Sequence, residues 1–304
     1  MPPTHTPLAC AGSPMTSPIK FALALILFTI CSRSHAVING RQVSVEEPVA
    51  GNTVLIACLG KIGAAERVLF TSSGVIVNKN FILTAAHTFF YCQHPVSGRS
   101  ARKVRWEMRF GIDGKEAAPV IVPFSRADLL NRQAGRFRQL LAVKHPRFRD
   151  YVFIRIPGGV PPHFSPMKFH ADPTRIPLGE PVFVSGYGIV GKNRNDLRLR
   201  TAQLNLTSTQ STHPGIMPLA PSTNRYDRRF YLDAYSASQH PCFGDSGAPI
   251  YVLENGNALL IGIQTQIQSN LTGRGYCDAP VIGLRADGYA DEMNVIEKSF
   301  EARR

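Results

Sequence analysis

The sequence has few cysteines, few acids and no apolar run long enough to cross a bilayer as a helix. Its six cysteines never form a Cys-x-x-Cys pair, which argues against a zinc cluster or a redox motif. Only 21 acidic residues stand against 34 lysines and arginines, so the net charge is +13. No internal repeat, low-complexity tract or clear amphipathic helix precedes the C-terminal tail. These absences argue against repeat and helical-bundle architectures.

The apolar run that is present, Phe21 to Ile30, is typical of the core of a signal peptide. Small residues, Ser34 and Ala36, lie beside a plausible cleavage site, although Met15 is an alternative initiator to Met1. We expect residues 1–36 to be a signal peptide. The mature protein is then secreted, to the periplasm or outside the cell, with no transmembrane segment.

Removal of this leader leaves 268 residues with a net charge of +11, enough for one large domain or two small ones. The positive side chains are scattered, with modest clusters at residues 99–103 and 225–229. A solvated basic surface is the favoured interpretation. Attraction to anionic envelopes, nucleic acid or acidic polypeptides is the secondary one. We expect no specific nucleic-acid site, no metal ion and no cofactor.

Four cysteines remain after the leader: Cys58, Cys92, Cys242 and Cys277. An even number in an oxidising compartment favours two disulfides. Three pairings are possible from the count alone.

Short runs rich in β-branched and aromatic residues alternate with turn signals along the mature chain. They lie at residues 53–58, 68–77, 103–110, 119–124, 139–143 and 151–156, and again at 180–185, 198–207, 229–234, 248–253, 258–266 and 281–285. This pattern predicts an all-β protein of closed antiparallel barrels. The proline-rich stretch 157–178 is interpreted as a linker between an N-terminal barrel, 37–156, and a C-terminal barrel, 179–304. The tail from about 290 to 302 is predicted to be a helix.

Candidate chemistry begins at Gly244-Asp-Ser-Gly247. Flanking glycines allow a sharp turn that presents Ser246, and the N–H groups of Gly244 and Ser246 can then converge on one oxygen as an oxyanion hole. An exposed turn is the alternative interpretation of such a short motif. A serine hydroxyl is a weak nucleophile, so the hypothesis requires a histidine base and a carboxylate.

Both required groups lie at the ends of predicted strands. Phe81-Ile-Leu-Thr-Ala-Ala-His87 ends an apolar strand in a histidine, and Asp150 precedes the apolar run that begins at Tyr151. The order His87, Asp150, Ser246, with Ser185-Gly-Tyr-Gly188 between, resembles the chymotrypsin/trypsin family of serine endopeptidases in a secreted, bacterial form.

The resemblance implies two antiparallel six-stranded Greek-key β-barrels, chymotrypsin-like, followed by a C-terminal α-helix. It implies that Ser246 attacks the scissile carbonyl, that His87 transfers the proton and that Asp150 orients His87. Polypeptide substrates and a monomeric enzyme are expected. A catalytically silent, cationic binding protein on the same fold is the alternative function.

The resemblance also implies the disulfide pairing. Cys242–Cys277 matches the family bridge that braces the specificity pocket. The family's other usual cysteines are replaced by Ser72 and Thr88, so Cys58–Cys92 is expected as a displaced version of that bridge.

The specificity pocket is expected around His240, Thr265 and Ile267. His240 lies six residues before Ser246, where trypsin-like members carry an aspartate that binds Arg or Lys. Without that buried anion a preference for basic residues is not expected. Thr265 also matches the hydroxyl residue that supports the catalytic aspartate in this family.

Val37-Ile-Asn-Gly40 resembles the new amino terminus of activated family members, whose ammonium pairs with the aspartate before the catalytic serine, here Asp245. The residue before Val37 is Ala36, so export cleavage would itself activate the enzyme. The alternative is that Val37 begins an edge strand and that local N–H groups satisfy Asp245.

Overall fold

Strands dominate the part of the chain that the structure describes. The computed structural model describes residues 37–88, 102–123, 129–130, 150–189, 196–208, 229–233, 239–267, 277, 281–286, 294 and 298. The strands within these residues are β1 (Arg41–Gln42), β2 (Thr53–Ile62), β3 (Ala65–Asn78), β4 (Phe81–Thr84), β5 (Arg102–Phe110), β6 (Val120–Pro123), β7 (Leu129–Leu130), β8 (Val152–Arg155), β9 (Lys168–Phe169), β10 (Pro181–Gly186), β11 (Arg200–Ser208), β12 (Arg229–Asp233), β13 (Pro249–Glu254), β14 (Asn257–Ile267) and β15 (Val281–Arg285). Short 3-10 helices cover Pro48–Gly51 and Pro173–Arg175.

The first sheet is antiparallel, with strand order β6-β5-β2-β3-β4-β8-β7. Its concave interior is apolar, and the fully buried side chains there include Trp106, Phe110 and Ile154. Burying each such side chain contributes about 1.5–3 kcal/mol of hydrophobic stabilisation. β2 and β4 are buried along most or all of their length, because one face of each strand lines this interior and the other packs toward the second sheet.

The second sheet has the order β1-β11-β10-β13-β14-β15-β12, and β11 also pairs with β12, which closes the barrel. The all-β fold predicted from the strand pattern is therefore confirmed. Two short strands differ from the expected organisation. β1, from the range assigned to the first barrel, pairs with β11. β9, from the predicted linker, pairs in parallel with β14. The boundaries of the two domains stay a prediction.

A separate apolar cluster lies between the two sheets. Leu55 and Phe153 of the first sheet pack in it with Leu260 of the second and with Tyr187, which follows β10. The hydroxyl of Tyr187 donates to the Gly111 carbonyl at 2.7 Å, so its buried polar end is paired. Burial raises the pKa of Tyr187, and the side chain stays neutral.

Eleven of the twelve predicted runs coincide with described strands; the run at 139–143 lies outside the described residues. Most of the predicted tail helix lies outside them too, but Asn294 and Lys298 are helical. Among the described residues, no helix is long and apolar enough to cross a membrane.

Two adjacent serines in β3 have different environments although both are fully buried. The hydroxyl of Ser73 donates to the Gly244 carbonyl and accepts from the Tyr187 N–H, each at 3.0 Å. Within the described part of the chain, no hydrogen-bond partner lies near the hydroxyl of Ser72. Ser72 occupies one of the positions where the resembled family has a cysteine.

We predict opposite effects on stability from Ser72→Ala and Ser73→Ala. Ser72→Ala removes a hydroxyl that is buried without a partner, so the free energy of unfolding should stay unchanged or rise by up to about 1 kcal/mol. Ser73→Ala leaves a buried carbonyl and N–H unpaired and should lower it by about 1–3 kcal/mol. Urea denaturation of both variants measures this difference. An equal loss in the two variants would contradict the assignment.

Candidate active site

Pairing of β4 with β8 brings two predicted site residues together. Thr84 lies opposite Val152 in the antiparallel register. His87 follows β4 by three residues, and Asp150 precedes β8 by two, so both lie at the same end of this strand pair. Their proximity follows from the register alone.

The side chains of Asp150, His87 and Ser246 form one hydrogen-bonded chain. The Oδ2 atom of Asp150 is 2.6 Å from Nδ1 of His87, and Nε2 of His87 is 2.9 Å from Oγ of Ser246. The Oδ1 atom of Asp150 also accepts the backbone N–H of His87 at 2.8 Å. Two contacts from one carboxylate fix both the position and the orientation of the imidazole. The proton then lies on Nδ1, and Nε2 is available to the serine hydroxyl.

The pKa of His87 is raised above its ordinary value. Burial disfavours the imidazolium cation, but the negative charge of Asp150 and the hydrogen bond from it favour the cation by more. The histidine is therefore a stronger base than a free imidazole.

The loop carrying Ser246 is fastened to both sheets. The carbonyl of Ser246 accepts the N–H of Ser73 at 3.0 Å, and the N–H of Gly247 donates to the Gln264 carbonyl at 2.7 Å. A Cβ at Gly247 would lie 2.1 Å from the hydroxyl of Thr84, and its φ is +83°. Only glycine fits there, because any side chain would collide with the strand beneath it.

Two backbone donors of this loop are uncommitted. Within the described residues, hydrogen bonds engage the N–H groups of Asp245, Gly247 and Ala248, but none engages those of Gly244 or Ser246. Gly244 has φ +95°, a conformation that glycine adopts readily. The two donors predicted to form an oxyanion hole are thus unused in the structure.

Asp245 is fully buried behind the serine. Its carboxylate accepts the N–H groups of Gly188 and Cys242, each at 2.8 Å. Burial raises the pKa of Asp245 to about 7, and these two N–H groups only partly offset it. A Cβ at Gly186 or Gly188 would lie 2.2–2.3 Å from the carboxylate oxygens. Sequence reasoning missed this contact, although the two glycines flanking Tyr187 are a signal for a close backbone approach.

The comparison with known families agrees with this geometry. A family model described as Trypsin matches residues 61–282, which include His87, Asp150 and Ser246. The chain belongs to the trypsin family. It is a serine-type endopeptidase by class. Among solved structures, one titled HL collagenase is similar over 86% of this chain and 98% of its own, at 20% identity and a TM-score of 0.59. At that identity the likeness concerns the fold.

The predicted amino-terminal segment of this trypsin-family chain is buried against the second barrel. The side chain of Val37 is fully buried and lies in the cluster that includes Val184 and Ile250. The carbonyl of Ile38 accepts the N–H of His240 at 3.0 Å, in an isolated β-bridge. Val37 has φ +42°, which is unusual for a β-branched residue and indicates local strain. The segment thus meets the chain just before the serine loop.

The predicted pocket residues of this trypsin-family site lie on the second sheet and the chain entering its serine loop. His240 is half-buried beside Ile38. Thr265 is buried in β14, where its hydroxyl donates to the Ile282 carbonyl at 3.3 Å, and Ile267 is half-buried at the end of that strand. Among the described residues, the side-chain partner of Asp150 is His87, not Thr265. The expected support of Asp150 by Thr265 is therefore wrong in this structure.

The disulfide Cys242–Cys277 is present. It ties the segment just before the serine loop to residue 277, as the family resemblance implies. Cys58 is buried in β2 and disulfide-bonded, and its predicted partner Cys92 lies outside the described residues. Thr88, which replaces a usual family cysteine, donates its hydroxyl to the Ala85 carbonyl at 2.7 Å.

Proposed function

We propose that the protein is a secreted serine endopeptidase that hydrolyses peptide bonds through Ser246, His87 and Asp150. The observation that carries this proposal is the unbroken hydrogen-bonded chain from Asp150 to the serine hydroxyl. A silent binding protein has no need for a histidine aligned between a carboxylate and a serine. The same chain of contacts therefore favours the enzyme over the cationic binding protein.

In the proposed reaction Oγ of Ser246 attacks the scissile carbonyl carbon while Nε2 of His87 takes the hydroxyl proton. The carbon–nitrogen bond then breaks, and His87 returns that proton to the leaving amine. Water then attacks the carbonyl carbon of the acyl-enzyme while Nε2 of His87 takes a proton from it. The bond between that carbon and Oγ breaks, the acid product leaves, and His87 returns the proton to Oγ of Ser246. Asp150 holds the imidazole in position and stabilises the imidazolium. The unused N–H groups of Gly244 and Ser246 would bind the carbonyl oxygen as it becomes negative.

The specificity pocket is proposed around His240, Thr265 and Ile267. Because no acid stands at the His240 position, a lysine or arginine side chain of the substrate would lose its hydration without gaining a counter-charge. Cleavage after Arg or Lys is therefore disfavoured. A polar or acidic side chain suits these residues better. A small apolar side chain also suits them, because Ile267 narrows the pocket.

Secretion is proposed from two features. The leader 1–36 has a signal-peptide pattern, and the Cys242–Cys277 disulfide is stable in an oxidising compartment. The substrates are polypeptides, and the enzyme is proposed to act as a monomer.

The first functional prediction is that the purified protein cleaves a peptide library and is labelled at Ser246 by a serine-directed phosphonate. Ser246→Ala should remove both the label and the cleavage. Ser72→Ala, at a buried serine without a site contact, is the matched control and should keep both. An unlabelled, folded protein would refute the enzyme. A cleavage profile dominated by Arg or Lys would refute the pocket assignment alone.

The second functional prediction concerns pH. Neutral His87 is the active form, so kcat/KM should fall as pH decreases through the pKa of His87, with a midpoint at or above the ordinary value of about 6.5. Asp150→Asn should lower kcat on the order of 10⁴-fold. It should also move the acid midpoint to lower pH, because the charge that favours the imidazolium is gone. Near-normal turnover in this variant would mean that a different carboxylate orients His87.

Export cleavage after Ala36 is proposed to activate the enzyme by freeing the amine of Val37, which then pairs with Asp245. Burial of the Val37 side chain and the bridge between Ile38 and His240 support this proposal, because they hold the segment against the serine loop. An ammonium would supply the opposite charge that the buried Asp245 carboxylate needs.

The third functional prediction compares protein that begins at Val37 with protein that retains Ala36. The first should be active, and the second should lose most of its kcat. In the second form Asp245 keeps a pKa of about 7, far above its unfolded value. Its folded state therefore binds the extra proton, and thermal stability should fall as pH rises from about 4 to 7. The Val37 form should lack this decline. Full activity with Ala36 attached would exclude the inserted-terminus mechanism.

A further inference from the structure

One face of the first sheet continues from the candidate active site to the tip of the β2–β3 hairpin. Thr71 lies opposite Ala57 in the β2–β3 register, and Val68 lies opposite Leu59. Ala57 and Leu59 alternate onto the same face of β2, so Thr71 and Val68 share that face in spite of the bulge between them. At one end of this face the hydroxyl of Thr71 is 3.4 Å from the point where a Cβ at Gly244 would lie.

The other end of the same face is cationic. Lys61 lies opposite Glu66, and Arg105 lies opposite Leu59, which places all three charged residues on the face that carries Val68. We call Lys61, Glu66 and Arg105 the tip cluster. Arg105 binds Glu66 with both guanidinium nitrogens, one of them at 2.8 Å, so the acid of the cluster is already paired. Arg105 therefore neutralises the carboxylate of Glu66.

Lys61 is the excess charge of this cluster. It is exposed, and within the described residues no hydrogen bond or ion pair engages its ammonium. The next acid on this face, Glu107, is bound by Arg109 at 2.7 Å. Val68 is 46% exposed between the cluster and Thr71. Lys61 attracts Glu66 electrostatically, but Arg105 already binds that carboxylate. The face therefore presents an apolar step followed by a net positive charge, which an acidic chain complements.

The length of β3 sets the distance between the candidate active site and the tip cluster. From Thr71 to Glu66 there are five residues, or about 16 Å at 3.3 Å per residue. The proposed pocket takes the side chain before the scissile bond, and its residues belong to the second barrel. The residues after the bond therefore lie on the opposite side of Ser246, toward β3 of the first sheet. An extended substrate would reach the tip cluster with its fourth to sixth residue after the bond.

We propose that the tip cluster is a docking site for acidic residues of the polypeptide substrate, four to six positions after the scissile bond. The proposal rests on the proposed endopeptidase function and names its substrate class. Lys61 binds the carboxylates, beside the Arg105–Glu66 pair, and Val68 contacts the chain between Lys61 and the active site. These residues position the substrate and take no part in the bond-breaking steps.

The test uses two peptides that share one efficiently cleaved sequence, chosen from the library profile. They differ at the fourth to sixth residues after the bond, which are Asp-Glu-Asp in one and Asn-Gln-Asn in the other. Wild-type enzyme should show a kcat/KM about three- to tenfold higher for the acidic peptide at low ionic strength, decreasing with added salt. Lys61→Gln should reduce the ratio, and Lys61→Glu should bring it to one or below.

Lys79→Gln is the matched control, because Lys79 is an exposed lysine at the opposite end of β3. It should leave the ratio unchanged, and neutral-peptide kinetics should be equal in all four proteins. A wild-type ratio of one would overturn the docking site while the endopeptidase stands, and so would an acidic preference that survives Lys61→Glu. The proposal would also be overturned if the tip cluster bound anionic vesicles while the kcat/KM ratio of the two peptides was one. Failure to cleave either peptide would instead refute the proposed function.

Discussion

The hydrogen bonds between β3 and the serine loop are the interaction on which the site depends. Ser73 uses its N–H for the Ser246 carbonyl and its hydroxyl for the Gly244 carbonyl and the Tyr187 N–H. These contacts join a strand of the first sheet to two loops associated with the second. His87 and Asp150 come from the first sheet, whereas Ser246 comes from the second. Without this connection the distance between Nε2 and Oγ would be set by two separately moving bodies.

Asp245 imposes the second constraint, because a carboxylate is buried with only two N–H donors. The chain accommodates it by leaving out the side chains at Gly186 and Gly188, whose Cβ atoms would overlap the carboxylate oxygens. The cost of burial appears as the raised pKa of Asp245. A carboxylate that is buried at such cost, next to Ser246, is suited to respond to a new charge arriving nearby. The amine of Val37, whose side chain is buried in the core of the second barrel, is the source that we propose for that charge.

Much of the fold and the three residues of the hydrogen-bonded chain could be predicted from the sequence. Runs rich in β-branched and aromatic residues, separated by turn signals, mark the longer strands. His87 and Asp150 each lie at the end of an apolar run, so strand pairing brings them together. Two-residue strands such as β1 and β9 have no periodicity to read. The contacts of Ser73 with Tyr187 and Gly244 span 114 and 171 residues, and a buried serine has no pattern that names its partner. Thr265 shows the opposite error. Its family position implies support of Asp150, but its hydroxyl donates to the Ile282 carbonyl instead.

The two halves of β3, which its bulge separates, have different surroundings. Before the bulge Ala65–Val68 is exposed, and after it Ser72–Val77 is buried. Ser73 fixes the buried part to the serine loop by hydrogen bonds, so substitution of Ser73 affects folding and the site together. The exposed part makes no such bonds with the loop, and its charges are free to vary without moving Ser246. One strand can thus combine an end that is fixed against the serine loop with an exposed end that we propose to contact substrate, because the two ends are linked by the backbone and not by shared packing.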